Sequence, residues 1–328
     1  MPPDLEAALD TLLDRTIVPS YTKLGFALRQ GTWDESDLDV DLSGQVCIVT
    51  GASSGLGRST AEGLARLGAR VYLLVRNPSK GEAVRAGIEL RTGNEDVHLE
   101  VVDLSSQESV REGVARFLAR EERLDVLINN AGVLLPQRLE SVDGIEMTLA
   151  TNVLGPFLLT SLSLPVLRAS APARIVNVSS GGMYTQKLDV ADLQFERKPY
   201  NGTLAYAQTK RALVILTEMW AEKLAGSGVT VNAMHPGWVD TPGVQTSLPG
   251  FRKVMRWGLR TLQQGADTIL WLAVAPRLAE QSGKFWFDRR PRTTHLLGRT
   301  RSTASDRRQL WDRCVRLCGL EEHGSSPP

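Results

Sequence analysis

Cysteine is scarce in this chain: Cys47, Cys314 and Cys318 are the only three among 328 residues. So few thiols exclude a disulfide framework and point to a reducing compartment. No run of eighteen apolar residues occurs, so no membrane-spanning helix is expected. The start, Met1-Pro2-Pro3-Asp4-Leu5-Glu6, lacks the basic-then-apolar layout of a secretory signal. These features together predict a cytoplasmic protein. Charge of one sign is also missing: the net value is +1, which gives the whole chain no bias towards nucleic acid or lipid. With 42% apolar and 23% charged residues, global disorder and fibrous folds are excluded.

The charges that are present lie unevenly. Residues 1–43 hold nine acids against three bases, and residues 284–316 hold ten bases against three acids. Residues 4–16 place Leu5, Leu9, Leu12 and Leu13 on one helical stripe, with acids off it. An acidic polar face is repelled by anionic lipid, so this helix is expected to dock on protein, with peripheral membrane contact the secondary reading. Residues 31–43 are acidic and poorly periodic and read as a linker. The expected organisation is an N-terminal helix and linker over 1–43, one α/β domain over 44–290 and a basic tail over 291–328. A single helix is predicted in that tail, around 305–318.

From Val46 onward the pattern changes. Apolar runs at Val46–Val49, Val71–Val75, Val97–Val102, Leu124–Ile128, Ile175–Val178 and Val229–Met234 are separated by helix-length segments. Runs that do not alternate with polar residues imply strands covered on both faces. The alternation predicts an α/β fold with a doubly wound parallel sheet of Rossmann type, closed at one edge by a strand at Lys284–Phe287.

Thr50-Gly51-Ala52-Ser53-Ser54-Gly55-Leu56-Gly57 lies between the first strand and the first helix of that alternation. Glycines there let a pyrophosphate approach the free N–H groups at a helix N-terminus. The spacing, one residue wider than the usual dinucleotide fingerprint, resembles that of the short-chain dehydrogenase/reductase family. An acid at the end of the second strand would take the ribose 2′-hydroxyl of NAD. This chain has Arg76 there, with Arg58 just after Gly57, so NADP(H) is the predicted cofactor and NAD the less favoured one. Further along, Asp103-Leu104 and Asn129-Asn130-Ala131-Gly132 end the third and fourth strands. The resemblance implies that the first pair meets the adenine, and that the quartet steadies the sheet and lines the cofactor.

Tyr206-Ala207-Gln208-Thr209-Lys210 puts a phenol and an ammonium at i and i+4, on one side of a helix. A phenol titrates near 10, too high for efficient acid–base work at neutral pH. A positive charge about 5 Å away, at an effective dielectric of about 20, favours phenolate by about 3 kcal/mol. Lys210 is therefore expected to lower the Tyr206 pKa by about two units. Five tyrosines and eight lysines give about 0.12 such pairs by chance, so the pair alone decides little. Its company decides more. Asn152, the pair Ser179-Ser180, Tyr206 and Lys210 follow the chain order of the family's Asn-Ser-Tyr-Lys tetrad. Spacing does not choose between the serines; the resemblance selects Ser180.

His235-Pro236-Gly237-Trp238-Val239-Asp240-Thr241 follows the sixth strand and resembles the family segment that holds the nicotinamide. The resemblance gives that role to Thr241 and to the backbone of Pro236, Gly237 and Val239. Tyr206 and Lys210 are implied cofactor contacts as well. The resemblance covers roughly 41–290. The long segment 181–200 between Ser180 and Tyr206 resembles the retinol dehydrogenase-like and protochlorophyllide reductase-like branch. Ser20-Tyr21-Thr22-Lys23, Gln264-Gly265-Ala266-Asp267-Thr268 and Thr294-His295-Leu296 carry the likeness into both terminal regions.

The implied reaction moves a hydride between nicotinamide and a carbonyl or alcohol. Leu134, Leu135, Met183, Tyr184, Trp238, Phe251 and Trp257 make the surrounding loops apolar, which predicts a lipophilic ketone or aldehyde. The contrasting reading, a silent NADP(H)-binding regulator, predicts a missing tetrad member, and all four stand. The arginines of the tail have little aromatic company and face an acidic N-terminal segment, so no nucleic-acid partner is expected, and no metal site. Residues 204–224, with Val214, Ile215, Leu216 and Trp220, are either a homodimer face or core.

Overall fold

The computed structural model describes residues 10, 11, 13 and 16–320. Most of the helix expected over 4–16 lies outside them. Two short helices, α1 (Ile17–Tyr21) and α2 (Lys23–Gln30), lead to β1 (Val46–Thr50). There follow α3 (Gly55–Arg66), β2 (Arg70–Val75), α4 (Pro78–Thr92), β3 (Val97–Val101), α5 (Gln107–Leu118) and β4 (Val126–Asn129). The second half holds α6 (Met147–Ala169), β5 (Ala173–Val178), α7 (Gly202–Lys223) and β6 (Val229–Met234). The chain closes with α8 (Pro242–Ser247), α9 (Pro249–Met255), α10 (Leu262–Val274), β7 (Phe285–Phe287), β8 (Arg290–Arg292) and α11 (Ala304–Leu317).

The sheet runs β3-β2-β1-β4-β5-β6-β7-β8. Its first seven strands are parallel, with Cys47 opposite Val71 on one side and Val126 on the other. Every residue of β1, β4 and β6 is buried, because helices cover both faces. One apolar cluster joins the sheet to α5, α6, α7 and α11, and the other joins it to α3, α4 and α10. The strand order reverses between β1 and β4, and the crevice at such a switch point is where doubly wound sheets take ligands.

Local chemistry explains the element ends. α4 starts where the Asn77 side chain accepts from Lys80 N with Pro78 at the first turn, and stops at Gly93, whose φ is +72°. α10 and α11 each begin with a capping box, on Thr261 and Thr303. Among the described residues, α6 is long and apolar enough to cross a membrane, yet it is largely buried as a core helix.

Three expectations need correction. β7 is not the edge: β8 pairs with it antiparallel, Trp286 opposite Pro291, and closes the sheet. A proline is tolerated there because an edge strand leaves one side of its backbone unpaired. The stretch read as a linker is docked instead. Asp37 is buried, accepts from the Trp271 indole at 2.7 Å and pairs with Arg277. The basic tail packs too: Leu310, Cys314 and Cys318 are fully buried, and Arg307 pairs with Glu218 and Glu222. Its Trp311 covers Trp220 at 4.6 Å between ring centroids, while Val214, Ile215 and Leu216 are core.

Candidate active site

The Gly-rich turn after β1 is fixed by the hydroxyl of Thr50. It accepts from the backbone N–H of Asn130 and Ala131 at 2.9 and 3.0 Å, and Asn130 Nδ2 donates to Thr50 O at 2.8 Å. Strand ends β1 and β4 are thereby tied edge to edge. Gly51 sits at φ +66°, and a Cβ on it would come 2.9 Å from the Cα of Ala131. A Cβ on Gly57 would come 2.5 Å from both Asn130 Nδ2 and Gly51 O. Both positions demand glycine. Ser53 and Ser54 lie at the turn, and Ser54 precedes α3 without a side-chain cap on its first N–H groups. Gly55, at φ +56°, faces Pro242 and Thr241 at 3.6 and 3.9 Å from an added Cβ. The turn and the 236–241 loop therefore flank one crevice.

Leu56 is buried against Val239 at the base of that crevice. Arg58 and Arg76 are exposed, and neither guanidinium has a hydrogen-bonding or ionic partner among the described residues. One carboxylate oxygen of Asp103 accepts from the N–H and hydroxyl of Ser105 at 2.9 and 2.7 Å. The side chain of Leu104 belongs to the core, which leaves only its backbone for a ligand.

The four tetrad positions converge at the carboxyl ends of β4 and β5. Asn152 stands in a π-helical turn of α6, Ala150–Leu154, and is fully buried. Its amide oxygen accepts from Val133 N at 2.8 Å, and its amide nitrogen donates to Val133 O at 3.0 Å and Thr209 Oγ1 at 3.1 Å. A Cβ on Gly132 would fall 3.1 Å from Lys210 Nζ and 3.3 Å from Asn152 Oδ1, so those three residues meet at one point. Ser180 follows β5; its hydroxyl lies beside the Tyr206 phenol, close enough to pull its pKa down, and accepts from Gly182 N at 3.2 Å. Ser179 points away, donating to Lys210 O at 2.9 Å. Geometry thus selects between two serines that spacing had left equivalent.

The electrostatics differ from expectation. Burial pushes the Tyr206 phenol above its ordinary value, and the Ser180 hydroxyl pulls it back down. The Lys210 ammonium lies 5.6 Å from the Tyr206 ring centroid and donates to Val178 O at 2.8 Å. Burial lowers Lys210 itself to about 8. The expected two-unit depression of Tyr206 by Lys210 is therefore corrected: burial is the largest influence on the phenol and raises it, and the ammonium donates to the Val178 carbonyl.

On the loop after β6, Thr241 caps α8 by accepting from Val244 N at 3.2 Å. Pro236 O accepts from Arg260 at 3.3 Å. His235 is buried, stacks on Phe287 at 4.0 Å and titrates far below its ordinary value, which suits packing rather than proton transfer. Of the apolar loop residues, Met183 and Tyr184 are core, Leu134, Leu135, Trp238 and Phe251 are half-buried, and Trp257 is 60% exposed. Sequence reasoning missed Thr209 and the Val178 carbonyl; the first carries a signal, being adjacent to Lys210, and the second carries none. Among the described residues no group of three or more metal-ligating side chains occurs.

The sequence model of the family described as short chain dehydrogenase matches residues 45–250. "Dehydrogenase/reductase SDR family member 12" of Bos taurus is 44% identical over 88% of this chain and 91% of its own length. "Retinol dehydrogenase 11" of Homo sapiens is 42% identical over 86% and 88%. The Pseudomonas aeruginosa RhlG/NADP active-site complex is 27% identical and covers 75% of this chain and 94% of that one, with a TM-score of 0.62. The Brucella melitensis 3-ketoacyl-(acyl-carrier-protein) reductase complexed with NADH is 26% identical, covers 75% and 96%, and has a TM-score of 0.59. With the family sequence matched over most of its sheet and relatives above 40% identity along nearly the whole chain, this protein belongs to the short-chain dehydrogenase/reductase family, oxidoreductases that use a nicotinamide cofactor on alcohol and carbonyl groups.

Proposed function

We propose that this chain is an NADP(H)-dependent oxidoreductase for apolar aldehydes or ketones, with Tyr206 as the general acid and base. The observation that carries the reading is the meeting of Lys210 and Asn152 at the exposed Gly132, with the Tyr206 ring 5.6 Å from the Lys210 ammonium and Ser180 beside the Tyr206 phenol. The turn fits a dinucleotide: Gly51 and Gly57 admit no Cβ, and the start of α3 has N–H groups without a side-chain cap. The preference for the 2′-phosphate rests on Arg58 and Arg76, two exposed guanidinium groups with no partner among the described residues.

A bound nicotinamide supplies the redox chemistry, as a source or acceptor of hydride. The residues of the chain do the rest. The Gly51–Gly57 turn would hold the pyrophosphate, Asp103 and the Leu104 backbone the adenine side, and Asn130, Ala131 and Gly132 the middle of the crevice. Pro236, Gly237, Val239 and Thr241 would hold the nicotinamide end. Ser180 and the Tyr206 hydroxyl donate hydrogen bonds to the substrate oxygen, where negative charge develops. Tyr206 passes its proton to that oxygen in reduction and takes one back in oxidation. Lys210, within reach of Gly132, would hold the nicotinamide ribose, and Asn152 fixes the loop that Lys210 faces.

A panel of apolar aldehydes and ketones, followed through NADPH consumption, tests this. Turnover of several members with NADPH favoured over NADH is expected. Tight NADPH binding with no turnover across the panel would support the regulator reading instead.

A further inference from the structure

The chain before β1 carries none of the tetrad or cradle residues, yet it reaches the site. Tyr21, the last residue of α1, is half-buried, and its ring lies over Gly181, the neighbour of Ser180. A Cβ built on Gly181 would come 2.6 Å from Tyr21 Cε2 and 3.3 Å from its hydroxyl oxygen. On its other sides the ring meets His235 at 4.7 Å, Phe287 at 5.1 Å and Trp238 at 5.8 Å. Trp238 in turn contacts Phe251 at 5.1 Å. Three half-buried aromatic rings, Tyr21, Trp238 and Phe251, therefore form a row from the Ser180 loop to α9.

The ring is held from behind by buried charge. Tyr21 O accepts from Trp238 N at 2.9 Å and from Arg260 Nε at 3.0 Å. Arg260 is 1% exposed and forks onto Asp288, reaching Oδ2 at 2.8 Å. Arg29 of α2 joins the same carboxylate at 2.9 Å and bonds Ser20 Oγ at 2.9 Å. Gly237 leaves room for this arrangement, since a Cβ there would lie 2.6 Å from Arg260 Nε. One carboxylate thus ties the N-terminal helices to the loop that would hold the nicotinamide.

We propose that Tyr21 is a specificity-determining residue: its ring is the substrate-site wall beside Ser180, and with Trp238 and Phe251 it selects carbonyl compounds with an extended apolar body. The proposal rests on the carbonyl-oxidoreductase reading and adds to it a wall contributed by a segment outside the matched family region. A short substrate reaches Ser180 and Tyr206 without the row of rings, whereas a long one lies along it and gains contact with each.

The test uses the full chain with NADPH and compares wild type, Tyr21→Ala and Tyr21→Phe on butanal and decanal. Tyr21→Ala is expected to lower the decanal-to-butanal ratio of kcat/KM by about tenfold, and Tyr21→Phe to keep most of it. A second readout needs no chemistry: calorimetric titration of the NADPH complex with decanamide should show about tenfold weaker binding for Tyr21→Ala. An unchanged ratio with unchanged decanamide affinity overturns the proposal. So does an equal loss on both aldehydes accompanied by weaker NADPH binding, which marks a purely structural role. If wild type turns over neither aldehyde, the reading of the reaction fails, while decanamide still decides for or against Tyr21; no decanamide binding to wild type decides against it.

Discussion

The ammonium of Lys210 lies 5.6 Å from the centre of the Tyr206 ring but is bonded to the carbonyl of Val178 at 2.8 Å. Helical spacing brings the two residues together; the buried carbonyl at the end of β5 decides where the charge points. The chemistry of the pair is therefore a balance between burial, which raises the phenol, and the neighbouring Ser180 hydroxyl, which lowers it.

Burial of Lys210 makes stability depend on pH. Its pKa is lowered from 10.5 to about 8 on folding. Below about 8 both states are protonated, and the folded chain carries the full cost of a buried charge. Between about 8 and 10.5 the unfolded chain binds the proton and the native one does not, so stability rises with pH. Urea unfolding of wild type and Lys210→Met should show a difference that shrinks by about 3 kcal/mol across that window. A constant difference would contradict the cause assigned to the shift.

Cofactor preference should follow charge at Arg76 and Arg58. Replacing Arg76 with Asp puts a negative group where the 2′-phosphate is expected, and the NADPH-to-NADH ratio of kcat/KM should fall by about a hundredfold. Arg58→Ala, which removes a charge without reversing it, should cost about tenfold. Steady-state kinetics with both cofactors reads each effect, and an unchanged ratio in both variants would remove the basis for NADP(H).

Asp288 accepts from two arginines while 1% exposed. Asp288→Asn leaves Arg260 with a buried charge lacking its counterion and Arg29 with Asp10 alone, at about 3 kcal/mol. Thermal melting should show a Tm lower by about four degrees, given the size of the chain. NADPH affinity should weaken as well, because Arg260 binds Pro236 O on the nicotinamide loop.

Thiol chemistry should be silent in the native protein. Cys47, Cys314 and Cys318 are fully buried, and burial pushes all three thiols up, Cys318 to about 12. Little thiolate forms near neutral pH, so Ellman's reagent should report no rapid reaction until the chain is unfolded, when all three respond. A fast-reacting thiol in the folded state would contradict the docking of α11, which carries Cys314.

The central strands were legible because burial on both faces leaves a continuous apolar signature, as in Val46–Val49. β8 was not, since Arg290-Pro291-Arg292 is charged, short and interrupted by proline, and owes its pairing to Phe285–Phe287 next to it. The linker reading failed for a related reason. Asp37 looks like a solvated acid until Trp271 and Arg277, more than two hundred residues later, are brought to it. At the site, the pair Tyr206 and Lys210 was visible as i and i+4, and the Gly-rich turn by its position after a buried run. The acceptor of Lys210 is a backbone carbonyl that any residue supplies, and Tyr21 is a lone aromatic in a polar stretch, so neither leaves a mark in the sequence. Choosing Ser180 over Ser179 needed either the family likeness or the observed bond that turns Ser179 to the Lys210 carbonyl.

The proton-transfer role of Tyr206 is tested most directly by removing one oxygen. In Tyr206→Phe the fold and the dinucleotide turn are untouched, so NADPH binding, followed by the fluorescence of the reduced nicotinamide, should stay within about threefold of wild type. Carbonyl reduction by the same protein should fall by at least about a hundredfold, the contribution expected of a positioned acid. Turnover by Tyr206→Phe close to that of wild type would contradict the account.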